Sequence, residues 1–403
     1  MSGPPRGASR RGAPAAGVRT WLQARTAGET TPELIMLAAC VAVLLLTGLV
    51  MTFSASFVQS TRDFGDPFGI FRRQLLWCLV GLVPMTLLAL VDYRRLRRFA
   101  PVLLVVSLVL LALVLVPGLG VKVQGARRWL ELGVMRFQPS ELAKLTVPLY
   151  LAHVLARRWV RLRAGDLHGL LMPALPVTGL AAGLVLVGPD LETAALITFI
   201  AGVVLYTAGL PTRYVAAGLG VTLVVGALAI VSTPFRRARM IAWLDPMAHA
   251  GTFGYQSVQG FIALGSGGLF GRGLGQGRGQ WLYVPNAHTD FIFAIIGEEL
   301  GLVGALFVLG LFAALAVIGV RIARRAPDPF GRLLAIAITG WLLAQAAMNM
   351  GSVVGLLPVT GVTLPLVSFG GSSLVVTLSA LGILASVARH SRAAPAPAHG
   401  EGP

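Results

Sequence analysis

Apolar stretches long enough to cross a lipid bilayer follow one another along almost the whole chain. A helix needs about 20 residues to cross the roughly 30 Å of hydrocarbon in a membrane. Segments of this kind lie at residues 34–56, 73–91, 101–117, 139–155, 169–187, 191–209, 214–233, 289–320, 333–356 and 366–388. The sequence therefore predicts an all-α polytopic membrane protein with about ten transmembrane helices. A large extracytoplasmic loop, at about residues 234–288, is expected between helices 7 and 8.

Composition excludes a soluble globular domain. The chain has 403 residues, of which 56% are hydrophobic and 12% charged, and its mean hydropathy is +0.79. In a soluble chain the net charge of +17 would suggest nucleic-acid binding. Here almost all basic residues are arginines, and most lie between apolar segments, so membrane topology explains them better.

The domain organisation follows from the same pattern. Residues 34–390 form the membrane domain, between a disordered cytoplasmic tail at 1–33 and a second one at 391–403. The first tail is too polar for the hydrophobic region of a signal peptide. Cys40 and Cys78 fall within apolar stretches and indicate neither a disulfide nor a metal site.

Arginine clusters set the expected orientation. Both tails and the segments 94–98, 157–163, 213 and 321–332 are rich in arginine, which predicts that they and both termini are cytoplasmic. The opposite side nevertheless carries two arginine groups, Arg127-Arg128 and Arg236-Arg237-Arg239. Either they reach lipid headgroups or pair within the loops, or they form an outward-facing anion site, because guanidinium groups suit phosphate oxygens.

Two polar motifs follow loops on the outward side. Residues 118–137 are too short and polar to span, and they are expected to lie in the membrane interface. In the next segment Glu141 and Lys144 stand three residues apart, which favours an intramembrane ion pair over direct substrate contact. Asp190 and Glu192 then begin the sixth span, where they either stabilise the helix start or contribute to a shared cavity.

The stretch from Tyr255 to Gly301 joins a glycine-rich loop to an acid-bearing apolar segment. The glycines provide either flexibility or a close backbone approach to a ligand, and the Lys-Ser/Thr of a phosphate loop is missing. Asp290 stands where the loop becomes helix, either as a helix-start acid or as a catalytic group. On a continuous helix Glu298 would lie about 80° around the axis and roughly 12 Å below Asp290, too far to act on the same atom.

A last outward segment, residues 355–373, interrupts two spans with proline and glycine. Irregular backbone at membrane depth is tolerated where protein or a watery cavity satisfies it, so this segment either faces the same cavity or serves packing. Ser372 at its end, with His288 and Thr289 beside Asp290, completes the set of candidate substrate-binding residues.

These motifs resemble one known family over residues 34–390. They are GARRWLELG at 125–133, QPSELAKL at 138–145, PDLETA at 189–194, FRRARMIAWLDP at 235–246, GYQSVQGFIALGSGGLFGRGLGQG at 254–277, AHTDFIFAIIGEELG at 287–301 and GLLPVTGVTLPLVSFGGSSL at 355–374. The chain is similar to the SEDS proteins of shape, elongation, division and sporulation, and more to the FtsW-like division branch than to the RodA-like elongation branch. Glu192, where the family usually has Gly, and Asn286, where FtsW commonly has Glu, depart from its pattern.

The resemblance implies a peptidoglycan glycosyltransferase that polymerises lipid II at the outer face of the bacterial cytoplasmic membrane, at the division septum. It implies Asp290 as general base, and it makes the arginines at 127, 128, 236, 237 and 239 candidates for the pyrophosphate, with Glu141 and Lys144 in the cavity wall. It further implies a divalent cation, Mg²⁺ or Mn²⁺, shared between Asp290 and pyrophosphate, and no organic cofactor. A class B penicillin-binding protein and other divisome proteins are the implied partners.

Two other functions fit a helix bundle with proline- and glycine-interrupted spans and buried acids. A transporter, for example a lipid II flippase, needs polar groups at mid-membrane that are reachable from both sides. The candidate residues here crowd the outward half instead. A scaffold that recruits division proteins would not require Asp290.

Overall fold

The structure is a computed structural model that describes residues 30–123, 126–132, 135–163 and 165–391. The tails predicted at 1–33 and 391–403 fall almost entirely outside these residues, and so do their arginines.

Helices make up the body of the described chain. They are α1 Pro32–Phe64, α2 Gly69–Leu90, α3 Leu96–Leu115, α4 Pro139–Arg157, α5 Trp159–Arg163, α6 Leu167–Val187, α7 Leu191–Thr207, α8 Thr212–Val231, α9 Pro234–Leu244, α10 Tyr255–Ser266, α11 Ile292–Arg325, α12 Pro329–Val353 and α13 Gly371–Arg389. Three of them, α5, α9 and α10, are short. Each of the others overlaps one of the predicted spans, which confirms the helical, polytopic architecture.

Most of the long helices have the length and hydropathy of a membrane span. Eight helices of the described chain meet both conditions. The helix α7 is apolar but has only 17 residues, and α4 carries the Glu141–Lys144 pair. Ten crossings therefore stay a prediction, although the helices that would make them are present.

Local sequence explains where the first helix begins and ends. The Thr31 hydroxyl accepts a hydrogen bond from the Leu34 N–H, and Pro32 occupies the first turn, where its missing N–H does no harm. The helix ends at Gly65, whose φ of 66° is left-handed and whose N–H donates to the Thr61 carbonyl at 2.9 Å.

Ion pairs and hydrogen bonds tie several helices together at one end of the bundle, here called the inward end. Arg325 at the end of α11 pairs with Glu33 at the start of α1. The Thr31 hydroxyl donates to the Ala388 carbonyl of α13 at 3.1 Å, and Arg94 Nε donates to Asp328 at 3.0 Å. These contacts bring together segments that the positive-inside pattern assigns to one side of the membrane.

A small antiparallel sheet lies at the opposite, outward end. Residues 118–137, predicted to be interfacial, contain β1 Gly120–Val123, β2 Ala126–Leu132 and β3 Met135–Phe137 in the order β1-β2-β3. Leu130 pairs with Phe137 across β2 and β3, and Pro139 starts α4 directly afterwards. The sheet was not predicted, and its three strands are the β-strands of the described residues.

The glycine-rich loop docks into a break in α11. Gly301 has φ 69° and ψ −167°, which interrupts the helix. The N–H groups of Arg272 and Gly273 donate to the carbonyls of Glu298 and Glu299, each at 3.0 Å. In return the loop carbonyls of residues 268 and 269 accept from the N–H groups of residues 302 and 303. The loop thereby satisfies backbone groups that the break would leave unpaired in an apolar environment.

The acids that follow Asp290 in the sequence serve this docking. Glu298 Oε1 accepts the Arg278 N–H at 2.7 Å, Oε2 accepts the Gly279 N–H at 2.9 Å, and Glu299 accepts from the Ser54 hydroxyl of α1. Asp290 itself precedes α11, which begins at Ile292. Both carboxylate oxygens of Glu298 are therefore occupied by the loop backbone.

Candidate active site at the outward end

Four segments meet at the outward end and enclose a cavity of about 420 Å³. They are the sheet, the turn 188–190 with the start of α7, the segment 232–291, which contributes residues 233–240, and the final loop, defined here as residues 354–370. The charged groups of the lining are three arginines and one carboxylate: Arg128 of β2, Arg236 and Arg239 of α9, and Glu192 of α7. The cavity therefore has a net positive lining, as expected for an anionic ligand.

Arg128 is held against the start of α7. Its Nε donates to the Gly188 carbonyl at 3.3 Å and its Nη2 to the Pro189 carbonyl, and Nη1 lies 3.9 Å from Asp190 Oδ1. Asp190 is the helix-start acid, because Oδ1 accepts the Thr193 N–H at 3.1 Å. The two roles considered for Asp190 and Glu192 therefore belong to different residues. Asp190 caps the helix, and Glu192 lines the cavity.

Arg236 and Arg239 approach from α9, one helical turn apart. Arg236 Nη1 donates to the Ala229 carbonyl at 3.1 Å. Arg239 donates to the Val359 carbonyl of the final loop, and its Nη1 lies 3.6 Å from Glu192 Oε1. Both guanidinium groups are partly exposed and oriented by protein oxygens.

The other two predicted arginines do not line the cavity. Arg237 is exposed on a different side of α9, as the 100° turn per residue requires. Arg127 is half-buried and borders a space of only about 10 Å³ beside Asp190. The sequence identified the arginine groups, but neighbouring positions point in different directions, and only the fold separates them.

Glu141 and Lys144 form the predicted ion pair inside the bundle. Lys144 is 1% exposed, and its Nζ lies 2.8 Å from Glu141 Oε1 and 2.9 Å from Gln345 Oε1 of α12. Gln345 Nε2 donates to the Thr363 carbonyl of the final loop at 3.0 Å. The pair therefore supports the wall of the outward end through α12, and neither residue lines the cavity.

The final loop and α12 hold the backbone around Asp290. Asn349 Nδ2 donates to the Asp290 carbonyl and to the Val362 carbonyl, each at 2.8 Å. The Ser368 hydroxyl donates to the Thr289 carbonyl at 2.6 Å. Because these donors sit on two different elements, the turn that carries Asp290 is fixed in position.

Asp290 has the electrostatics of a general base. Its side chain is half-buried, and burial raises its pKa to about 7; the nearby Glu192 charge adds to the shift, while Arg239 and a Thr289 hydrogen bond oppose it. A base is most effective when its pKa lies near the working pH. Burial is thus the largest influence on this pKa.

The remaining candidates surround this turn without lining the cavity. His288 is buried against Phe369, and burial lowers its pKa to about 4, so the ring is neutral at pH 7. The Thr289 hydroxyl donates to the Asn286 carbonyl at 3.2 Å. Ser372 is 3% exposed and accepts the Gln138 N–H at 3.4 Å, which joins α13 to the start of α4.

Of the two departures from the family pattern, Asn286 gains a physical reason, and Glu192 lines the cavity. Asn286 has a φ of 54°, a left-handed conformation that Asn tolerates better than Glu, and its carbonyl accepts the N–H groups of Thr289 and Phe291. Sequence reasoning did not single out Asn349, or Val359 within the last outward segment, because neither side chain carries a charge.

The described residues do not offer a metal site made by protein groups. No group of three or more His, Cys, Asp or Glu side chains that could hold a metal ion occurs among them. Mg²⁺ is often held by one or two carboxylates together with substrate phosphates. Asp290 fits that role only in company with a phosphorylated substrate.

Comparison with known proteins places these features in a family context. A family model described as cell cycle protein, which covers FtsW, RodA and SpoVE, matches residues 34–393. The chain is 44% identical over 364 residues to the probable peptidoglycan glycosyltransferase FtsW of Mycobacterium tuberculosis, over 90% of this chain and 69% of that protein. It is 39% identical over 373 residues to stage V sporulation protein E of Bacillus subtilis, over 91% of this chain and 100% of that protein.

Two solved structures share the fold. A chain from a peptidoglycan synthase complex that coordinates polymerization and crosslinking aligns with a TM-score of 0.71 and 33% identity, over 88% of this chain and 96% of that one. The rod shape determining protein RodA of Thermus thermophilus aligns with a TM-score of 0.65 and 32% identity, over 89% and 97% of the two chains.

Proposed function

This chain belongs to the FtsW/RodA/SpoVE family of cell cycle proteins, and we propose that it extends peptidoglycan strands from lipid II with Asp290 as the general base. It is a peptidoglycan glycosyltransferase embedded in a membrane. The name shared by its FtsW relatives supports a role in cell division, ahead of rod elongation.

The observation that carries the proposal is the electrostatic interaction of Asp290, which does not itself line the cavity, with Arg239 and Glu192, which do. An acid with a pKa of about 7 lies within electrostatic reach of Arg239, which lines the cavity together with Arg128 and Arg236. A glycosyl transfer from a pyrophosphate-linked donor needs both parts: a base for the acceptor and cations for the leaving group.

The reaction can be assigned to these groups. The acceptor sugar hydroxyl attacks the anomeric carbon of the donor, and its proton passes to the Asp290 carboxylate. A new C–O bond forms while the bond to undecaprenyl pyrophosphate breaks. The guanidinium groups of Arg128, Arg236 and Arg239 stabilise the negative charge that develops on the leaving pyrophosphate.

A divalent cation, Mg²⁺ or Mn²⁺, would be held by Asp290 together with the substrate phosphates. When bound there, it would supply further charge neutralisation for the pyrophosphate.

Orientation and partners complete the proposal. Both termini are cytoplasmic and the cavity opens to the extracytoplasmic side of the bacterial cytoplasmic membrane, at the septum, as the arginine clusters and the FtsW relatives suggest. The similar chain from a synthase complex that coordinates polymerization and crosslinking supports a class B penicillin-binding protein as the crosslinking partner. Other divisome proteins would assemble with this pair.

The test is a polymerisation assay with purified protein, lipid II and Mg²⁺ or Mn²⁺, with and without a class B transpeptidase. We expect wild type to form glycan polymer and Asp290→Asn to lose about 10²- to 10⁴-fold in rate, the usual contribution of a general base. Asp245→Asn, which changes an exposed acid of the same segment, is the matched control and should keep wild-type activity.

Each part of the proposal can fail separately. Polymerisation by a folded Asp290→Asn protein at the wild-type rate would remove the base assignment. Absence of polymer from wild type with its transpeptidase, combined with lipid II flipping in liposomes by the Asp290→Asn protein, would favour transport.

A further inference from the structure

Glu192 stands within the cationic cavity, where an anionic ligand would be expected to bind. It is the only acid among the described residues that line the cavity, against three arginines. Its Oε1 lies 3.6 Å from Arg239 Nη1, and the two side chains are 19% and 28% exposed. A carboxylate in this place opposes the binding of any other anion to the same guanidinium group.

Arg239 is the arginine most affected by this carboxylate. Arg236 is oriented by the Ala229 carbonyl, and Arg128 by the turn 188–190. Arg239, by contrast, is shared between Glu192 of α7 and the Val359 carbonyl of the final loop. It therefore joins three elements across the cavity, and its guanidinium group also acts on Asp290.

Stability does not account for the pair. Partly exposed ion pairs contribute little to folding stability, and so does an acid in the first turn of a helix at the surface. Asp190 already caps α7. Glu192 has a larger effect on the positive charge that the cavity presents to a ligand than on folding stability.

We propose that Glu192 is a positioning residue: a resident counter-ion that holds Arg239 between turnovers and gives it up when a pyrophosphate group enters the cavity. The proposal deepens the function proposed above and rests on it for the identity of the donor. Binding of the pyrophosphate then exchanges one anionic partner of Arg239 for another.

The direct test is the binding of inorganic pyrophosphate to the purified full-length protein, measured by calorimetry. We expect Glu192→Gln to bind pyrophosphate about two- to fivefold more tightly than wild type, the range that partly exposed charge pairs contribute. Glu192→Ala, which removes the carboxylate without adding an amide, should behave in the same way and covers the case in which the first variant does not fold.

Two further variants decide whether the effect passes through Arg239. In an Arg239→Gln background the Glu192→Gln change should have no effect on pyrophosphate affinity. Glu131→Gln is the matched control, because Glu131 of β2 also pairs with an arginine, Arg136, at 3.6 Å but does not line the cavity. It should leave the affinity unchanged.

The outcomes that overturn the inference are definite. The first is an unchanged pyrophosphate affinity in both Glu192 variants. The second is that Glu192→Gln raises the pyrophosphate affinity as much in the Arg239→Gln background as in wild type. The third is that Glu131→Gln raises this affinity as much as Glu192→Gln does. The binding series does not depend on turnover, so it still decides the role of Glu192 if wild type forms no polymer and the proposed function fails. With an active enzyme, a lower KM for lipid II in Glu192→Gln gives independent support.

Discussion

At the outward end, acids of the same chemistry stand in different surroundings. Asp190 accepts a helix N–H, and Glu298 accepts two N–H groups of the glycine-rich loop. The Asp290 carboxylate is not held by backbone N–H groups in this way, and burial raises its pKa to about 7. Hydrogen bonds to a carboxylate favour its charged form, whereas burial without them favours the neutral one. Asp290 is therefore suited to exchange a proton near neutral pH.

The raised pKa of Asp290 predicts a pH-dependent effect on stability. In the folded protein the pKa is about 7, against an ordinary value of 3.8, so folding favours the protonated acid. This contribution is full below the ordinary pKa and is lost as the pH rises through about 7. Asp290→Asn, neutral at every pH, should therefore raise Tm relative to wild type more at pH 8 than at pH 5.

Thermal unfolding of detergent-solubilised protein at the two pH values measures this difference. Asp245→Asn is again the control, and its Tm difference from wild type should be the same at both pH values. An Asp290→Asn difference that does not change with pH would contradict the raised pKa.

At the scale of elements, the glycine-rich loop and the break in α11 are one structural unit. Before the structure, the glycines were compatible with flexibility or with a ligand contact. They instead permit contact between two backbones: a Cβ on Gly267 would overlap the Gly297 carbonyl, and one on Gly271 the Glu299 carbonyl. Gly271 has a φ of 80°, which disfavours other residues as well. The loop is thus a fixed part of the scaffold behind the Asp290 turn.

Alanine substitutions within this run should separate packing from flexibility. Gly267→Ala should lower Tm and reduce activity, because its Cβ would force the loop away from α11. Gly265→Ala, two residues earlier in α10, has open space around the added carbon and should be neutral or slightly stabilising, since Ala favours helix over Gly. Thermal unfolding and polymerisation assays on both variants make the comparison. Equal Tm values for the two would show that the close contact is unimportant.

At the scale of the whole molecule, side-chain contacts divide the bundle into two ends. The inward end carries the Glu33–Arg325 pair, and the outward end carries the cavity, the sheet and the final loop. The candidate functional groups are therefore gathered at one end of the bundle.

Cysteine accessibility tests this orientation. Cys40 and Cys78 are both buried, so an introduced thiol should dominate labelling. A membrane-impermeant maleimide should label Arg237→Cys, on the exposed side of α9, in intact spheroplasts. Arg161→Cys, exposed at the other end, should be labelled only after permeabilisation. Labelling of both positions in intact spheroplasts, or labelling of Arg161→Cys alone there, would contradict the orientation.

Much of this protein follows from its sequence because the signals involved are local. Apolar length placed the long helices, and the arginine groups and Asp290 stood out because charge is rare in such a chain. The small sheet was missed because three strands of this length have little pattern of their own.

Only the tertiary structure decided which of these residues act together. Arg239 and Arg237 have the same chemistry and differ in direction, and Arg239 meets Val359, a residue 120 positions away. Likewise Glu192 enters the cavity while Asp190, two positions earlier, caps a helix. Apolar periodicity reports whether a segment is buried, whereas a cavity forms from side chains of several elements, whose meeting depends on how all the helices pack.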